Sequence, residues 1–159
     1  MTVIKYTIGD EKDLDRIRPM WERLNLHHIS LAKHFKTDYK KMKFTDRKGE
    51  LLKKAAEKVM RVEIAYDSAG KKEAGYCVST AQKNSTGEIE SLYVDPGFRG
   101  SGIGKRLMKN ALQWMEKHKV ETKKIVVFAG NENVLDFYEL YGFYPRYLVL
   151  QQKKRGKAK

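Results

Sequence analysis

The chain has 159 residues, 41% of them hydrophobic, which suits one domain with a single buried core and excludes a disordered chain. No apolar run approaches the ~20 residues that span a bilayer, and Met1–Tyr6 carries no secretory apolar region, so neither a membrane segment nor a signal peptide is expected. The formal net charge of +13 is concentrated: residues 33–61 hold eleven Lys/Arg against four Asp/Glu, and residues 151–159 hold five Lys/Arg and no acid.

Residues 3–8 alternate weakly and read as a first strand. Asp10 is placed to cap a helix with Leu14, Ile17, Trp21 and Leu24 at helical spacing, and Pro19 within it predicts a kink or an early stop. Residues 27–45 are irregular in period and carry His27, His28, His34 and the aromatics Phe35, Tyr39 and Phe44. A second helix is expected over about 46–59 and a strand over 62–66, with Asp67-Ser68-Ala69-Gly70 as a turn. The hairpin partner runs over 73–82, with Ala74, Tyr76, Val78 and Thr80 on one face, and a further strand follows over 88–94. The helix opening at Ile103 is the clearest element. Ile103, Leu107, Ala111 and Met115 recur every four residues, with Lys105, Arg106, Lys109 and Lys117 on the other side. Residues 125–128 read as a buried strand, residues 131–141 as a short helix ended by Gly142, and residues 147–150 as a last strand. The fold class is α+β: a mixed, mostly antiparallel twisted sheet flanked by helices around a parallel strand–helix–strand unit. Residues 1–152 form one domain and 153–159 a basic tail.

The turn Arg99-Gly100-Ser101-Gly102-Ile103-Gly104 joins that strand to that helix. Glycines let the backbone approach an anion, and the first helical N–H groups, with the helix dipole behind them, point at whatever sits there. A pyrophosphate suits such a turn. A Walker loop does not match, because Arg99 stands at its first glycine position and Arg106 at its Ser/Thr position. The dinucleotide fingerprint does not match either, because Lys105 occupies its third glycine position. What remains is Arg-x-x-Gly-x-Gly after an Asp95-Pro96 turn. With it the chain resembles the GNAT N-acetyltransferase superfamily, whose coenzyme A signature this is. A second stretch, Asn131 to Phe143, is similar to the family's other signature, in which Asn is followed seven residues later by Tyr and then by Gly-Phe; Val134 stands where the family usually has Ala.

The resemblance implies that acetyl-CoA lies where two parallel strands splay apart, as a co-substrate, with no metal. Its pyrophosphate would meet Arg99, Gly100, Ser101, Gly102, Ile103, Gly104 and Lys105. Its pantetheine arm would pair with the backbone of Leu92, Tyr93 and Val94, and Asn131 would hydrogen-bond that arm. The amine would attack the thioester directly, the Val94 N–H would hold the oxyanion, and Tyr138 would protonate the departing thiolate. Cys77 is then an apolar strand residue and no nucleophile. A lysine-like amine costs about 4–5 kcal/mol to deprotonate at pH 7. Glu90 is the first candidate to take that proton and Glu88, on the same strand face, the second, with His27, His28 and His34 as alternatives.

The acceptor is expected to be a small amine, an amino acid or a peptide, since the lysine surplus over 33–61 disfavours a polycation. A homodimer stays open, and cytoplasmic residence follows from the lone cysteine. Two rivals stand beside the enzyme: a basic module binding nucleic acid or the ribosome, and a non-catalytic acyl-CoA sensor. No helix-turn-helix, zinc-finger or RNP-like motif supports the first, and the pair Asn131/Tyr138 argues against the second.

Overall fold

A computed structural model describes residues 1–155. Five strands, β1 (Ile4–Gly9), β2 (Val59–Asp67), β3 (Lys72–Ala81), β4 (Thr86–Val94) and β5 (Thr122–Ile125), form one sheet in chain order. The first three pairings are antiparallel and β4–β5 is parallel. The helices are α1 (Arg18–Leu31), α2 (Lys36–Lys41), α3 (Phe44–Ala55), α4 (Ile103–Lys117) and α5 (Leu135–Glu139). The expected α+β class with its parallel unit across α4 is what forms.

The sheet carries a core on each face. On one, Leu14, Trp21, Phe44 and Leu51 pack on Val62, Ile64, Tyr76, Val78 and Tyr93. On the other, the apolar stripe of α4 (Ile103, Leu107, Met108, Ala111, Met115) packs on Ala65, Cys77, Ala81 and Ile89. Covering both faces explains why β2 and β3 are buried along nearly their whole length. Ala74 departs from the expected alternation. The β2–β3 register shifts between Ala65 and Tyr66, which pair with Gly75 and Glu73, so Ala74 is the extra residue of a bulge and joins the α4 core instead of following Tyr76.

Asp10 caps, as expected, but the turns it opens are a 3-10 stretch, Glu11–Ile17. Pro19 neither kinks nor stops a helix: it sits in the first turn of α1, where its missing N–H has no intrahelical role. The irregular 27–45 region holds the end of α1 and the whole of α2, and the helix expected over 46–59 is α3, displaced toward the N-terminus.

Two strand expectations are corrected. The strand expected over 125–128 ends at Ile125, because its partner β4 turns away there; Val126 is 70% exposed. The last strand, 147–150, does not form: among the described residues no partner lies beside it, and its apolar side chains face solvent. The helix over 131–141 is split into a 3-10 turn, Glu132–Val134, and α5, with Gly142 at φ +81° closing it as expected. Of the expected basic tail, Lys153, Lys154 and Arg155 are exposed and residues 156–159 lie outside the described residues.

Candidate active site

The site begins at an irregularity in β4. In the β3–β4 register Val78 pairs with Ser91 and Ser79 with Ile89, which leaves Glu90 as the extra residue of a bulge. A bulge bends its strand and sharpens its twist. The parallel pairing with β5 stops one residue earlier, at Ile89–Ile125. From Glu90 to Val94 the outer edge of β4 therefore has no strand beside it among the described residues, and a cleft of about 890 Å³ opens there.

Backbone direction along this edge follows from two contacts. Asp95 donates its N–H to Ala74 O (2.8 Å), and Tyr93 O faces Gly75. Strand alternation then turns the N–H and C=O of Val94 the other way, into the cleft. The Arg99 guanidinium donates to that carbonyl (3.1 Å), which leaves the Val94 N–H as a donor at the cleft wall.

Asp95 accepts the N–H of Gly97 (3.3 Å), starting a short 3-10 turn, Pro96–Phe98, and is anchored by Arg23 (3.3 Å) and Lys72 (3.4 Å). Gly100 (φ +77°) and Gly102 (φ +85°) then adopt left-handed backbone that side chains disfavour, and both face open space. Gly102 is the N-cap of α4 and supplies no capping side chain, so the N–H groups of Ile103, Gly104 and Lys105 lack intrahelical partners at the positive end of a 15-residue helix. Arg99 and Lys105 line the same mouth.

Every predicted site residue lines this cleft except the alternative base His34 and Ser101, whose hydroxyl donates back to Phe98 O and ties the turn together. Asn131 is 8% exposed, and its Oδ1 has no hydrogen-bond partner among the described residues. A buried polar atom left without a partner is costly, and here it awaits a donor from outside the protein. An amide-bearing arm laid along the Leu92–Val94 edge would supply one, so these residues fit a pantetheine chain.

Burial pushes the Tyr138 phenol up to about 12, with the nearby Cys77 sulfur adding to the effect. Cys77 itself is buried and bonded to Ser79, and burial raises its thiol to about 12. It stays protonated at neutral pH.

Glu88 and Glu90 do share a face, because both bind Lys54: Nζ lies 3.1 Å from Glu88 Oε2 and 2.6 Å from Glu90 Oε2. Glu90 is fully engaged. Its Oε1 accepts from Thr80 (2.6 Å), Arg47 stands 3.6 Å from Oε2, and its side chain is 0% exposed. Burial works against the Lys54 ammonium, but the hydrogen bonds and charges of Glu90 and Glu88 outweigh it and hold its pKa above the usual value. Glu88 lends only Oε2 to Lys54 and, at 3.7 Å, to Lys124.

Sequence reasoning missed Arg47, Lys54 and Thr80, which have no motif. It also missed an aromatic wall: His28 stands edge-on to Phe128 (4.6 Å between centroids), which also meets Tyr39 (5.4 Å). Burial, then the charge of His27, lowers His28 to about 4. His27 and His28 line the cleft and His34 does not.

A family model described as the acetyltransferase (GNAT) family matches residues 25–143. The chain belongs to that family. Among curated relatives of this GNAT chain, an uncharacterized N-acetyltransferase of Methanocaldococcus jannaschii is 32% identical over 72 residues, 45% of this chain and 32% of the relative. A mycothiol acetyltransferase of Propionibacterium freudenreichii is 33% identical over 82 residues, 50% of this chain and 26% of the relative. The matches thus span a third or less of those relatives. Among solved structures, a ribosomal-protein-alanine N-acetyltransferase of Brucella melitensis superimposes with a TM-score of 0.64 at 13% identity, covering 96% of this chain and 100% of that one. An aminoglycoside N-acetyltransferase in complex with CoA gives 0.63 at 16%, covering 98% and 97%. At these identities the likeness concerns the GNAT fold. Among the described residues no helix is long and apolar enough to cross a membrane, and no group of three or more His, Cys, Asp or Glu is placed to hold a metal.

Proposed function

We propose that this GNAT chain is an acetyl-CoA-dependent N-acetyltransferase that passes the acetyl group directly to a primary amine of a small molecule, amino acid or peptide, in the cytoplasm. The observation that carries the reading is one cleft that joins three sets of unfilled groups: the free N–H donors at the start of α4, the unpaired edge of Leu92–Val94, and the buried, partnerless Oδ1 of Asn131. Acetyl-CoA brings the acetyl group as an activated thioester. Ile103, Gly104 and Lys105 hold its pyrophosphate through main-chain N–H groups, with Arg99 and the Lys105 ammonium adding charge. Asn131 and the β4 edge align the arm.

Val94 presents its N–H where negative charge develops on the acetyl oxygen. Tyr138 remains protonated at every working pH and donates to the sulfur. The phenolic proton passes to sulfur as the carbon–sulfur bond breaks, so the leaving group departs as a neutral thiol. Glu88, whose Oε1 accepts from no described protein group, takes the proton from the incoming amine, directly or through water; Glu90 holds Lys54 and the strand in place.

Calorimetry with acetyl-CoA and a free-thiol assay over a panel of amines test the reading together. The wild type should bind acetyl-CoA and release thiol with at least one amine. Gly102→Asp, which puts a side chain at φ +85° and a negative charge on the phosphate position, should weaken binding by at least ~10-fold. Unchanged affinity in the variant, or binding without thiol release for any amine, refutes the proposal.

A further inference from the structure

The cleft has two ends. One, at the start of α4, suits the coenzyme. The other lies on the opposite face of the sheet, under α1 and α3. Trp21, Leu24 and His28 reach it from α1, Met42 from the link between α2 and α3, and Phe128 from the segment after β5. Phe128 is the centre of this wall: His28 meets its ring edge-on (4.6 Å between centroids) and Tyr39 backs it (5.4 Å). The wall is held from behind. Asn25 donates from Nδ2 to Tyr39 O (3.2 Å), and Asn131 donates its N–H to Phe128 O (3.1 Å). Gly130, at φ +100°, lies so close to the end of α1 that a Cβ there would collide with Leu31 O. A surface fixed in this way gives up little freedom when a flat apolar group settles on it.

Among the described residues, every Lys and Arg lining this end is already engaged. Arg47 donates to Glu90 O (2.9 Å) and stands 3.2 Å from the Glu50 carboxylate and 3.6 Å from that of Glu90. Lys54 holds both Glu88 and Glu90. Burial keeps His28 uncharged at neutral pH, with its pKa at about 4. Lys124 reaches Glu88 from outside the cleft, but on the oxygen that Lys54 already holds, so Glu88 Oε1 stays open. The chamber thus offers an acceptor for one ammonium and no free cation for a carboxylate. A second ammonium would leave water for an apolar wall. It would also meet Lys36, Lys40, Lys41 and Lys43, which are exposed on α2 and just after it and make no ion pair among the described residues. At about 890 Å³ the cleft is of single-ligand size (~300–1,000 Å³), and the pantetheine arm fills part of it, so the room left is that of a compact group.

We propose that the acceptor of this GNAT chain is a small arylalkylamine: one primary ammonium directed at Glu88, a flat aromatic body laid on Phe128, and no carboxylate. This rests on the acetyl-transfer reading above and narrows it, setting aside free amino acids and peptides. The ammonium gives one proton to Glu88, the freed nitrogen bonds to the acetyl carbon, and the carbon–sulfur bond breaks as Tyr138 protonates the sulfur. Packing against an apolar wall also disfavours the charged form of the amine, which eases the first of these steps.

Two measurements on the full chain test this. Calorimetry on protein saturated with CoA, which carries no acetyl group, reads the chamber alone; free-thiol release from acetyl-CoA reads transfer. The probes are 2-phenylethylamine, butylamine, putrescine, phenylalanine and a tripeptide amide that begins with phenylalanine. 2-Phenylethylamine should bind at least ~10-fold more tightly than butylamine, for the ring it buries. It should lead phenylalanine, putrescine and the peptide by at least ~10-fold, for the charge or bulk each adds. In Phe128→Ala the ratio of phenylethylamine to butylamine affinity should fall at least ~5-fold, and Phe128→Tyr should retain it. Partial unfolding would weaken both ligands alike and leave that ratio unmoved. Equal binding of the two amines by the wild type overturns the proposal. So does a lead for phenylalanine, putrescine or the peptide, or an unchanged ratio in Phe128→Ala. The expected order of binding without thiol release supports the assignment of the chamber and overturns the transfer reading instead. Thiol release with the reverse order does the opposite.

Discussion

Gly75→Ala probes the site from the far side of the sheet. Gly75 pairs with Val94 across β3–β4, and a Cβ there would sit 2.7 Å from Tyr93 O and 3.3 Å from Val94 Cα. Restoring the tightest separation that real Cβ atoms tolerate, 3.0–3.4 Å, needs a displacement of 0.3–0.7 Å. β3 is clamped between β2 and β4, whereas β4 has no strand on its other side here, so β4 yields and carries the Val94 N–H with it. A misplacement of ~1 Å in a catalytic array costs about 100-fold, so kcat should fall roughly 4- to 25-fold. Affinity for acetyl-CoA, set mainly at residues 100–105, should change less than about threefold. Overpacking costs about 1–3 kcal/mol and replacing glycine in a strand returns ~0.5–1, a net loss of up to about 2.5 kcal/mol. Steady-state kinetics by free-thiol release and a urea melt read the two effects separately. Gly49→Ala is the control: nothing lies within 4 Å of its Cβ, and it should stabilise α3 by about 0.5–1 kcal/mol with unchanged kcat. A Gly75→Ala protein that is less stable yet turns over at the wild-type rate would refute the role given to the Val94 N–H.

Tyr138→Phe should lower kcat by ~10²–10⁴ and leave acetyl-CoA affinity intact; full turnover removes Tyr138 from the acid role. Glu88→Gln should change the limb of the pH–rate profile that rises toward alkaline pH, while Glu90→Gln should mainly cost stability, about 1–3 kcal/mol, by taking a charge from Lys54 and Arg47. The reverse pattern would make Glu90 the base. Between pH ~6.5 and about 4 the unfolded chain protonates His28 and the folded one does not, so stability is lost as pH falls through that window. The full shift is worth ~3.4 kcal/mol, and partial solvent contact screens it to about 1–2. Urea midpoints of wild type and His28→Phe, compared from pH 7 to 4.5, should diverge by that amount. Parallel curves would show that His28 is not held neutral.

Where local pattern and tertiary demand coincide, the site was legible. Arg99 to Gly104 needed only the order strand, glycines, helix, because backbone freedom and unpaired helix N–H groups are local properties. Asn131 and Tyr138 meet in the cleft although their helix is broken by a 3-10 turn between them. The base assignment was harder. The pairing of Glu88 and Glu90 on one face could be read from strand period, but their availability depends on Lys54, Arg47 and Thr80, and the two cations lie more than 30 residues away in α3.

The sequence alone determined the glycine turn before α4, the stripe of α4 and the antiparallel succession β1 to β4, since each rests on side-chain period or on glycine backbone freedom within a few residues. Tertiary structure decided where β4 and β5 part, because the bulge at Glu90 exists only in register with β3. It also decided which carboxylate is free and whether an apolar run near the C-terminus has a strand to join. Residues 147–150 carry every local mark of a strand, yet a strand is completed only by a neighbour's hydrogen bonds, and among the described residues none is there to supply them.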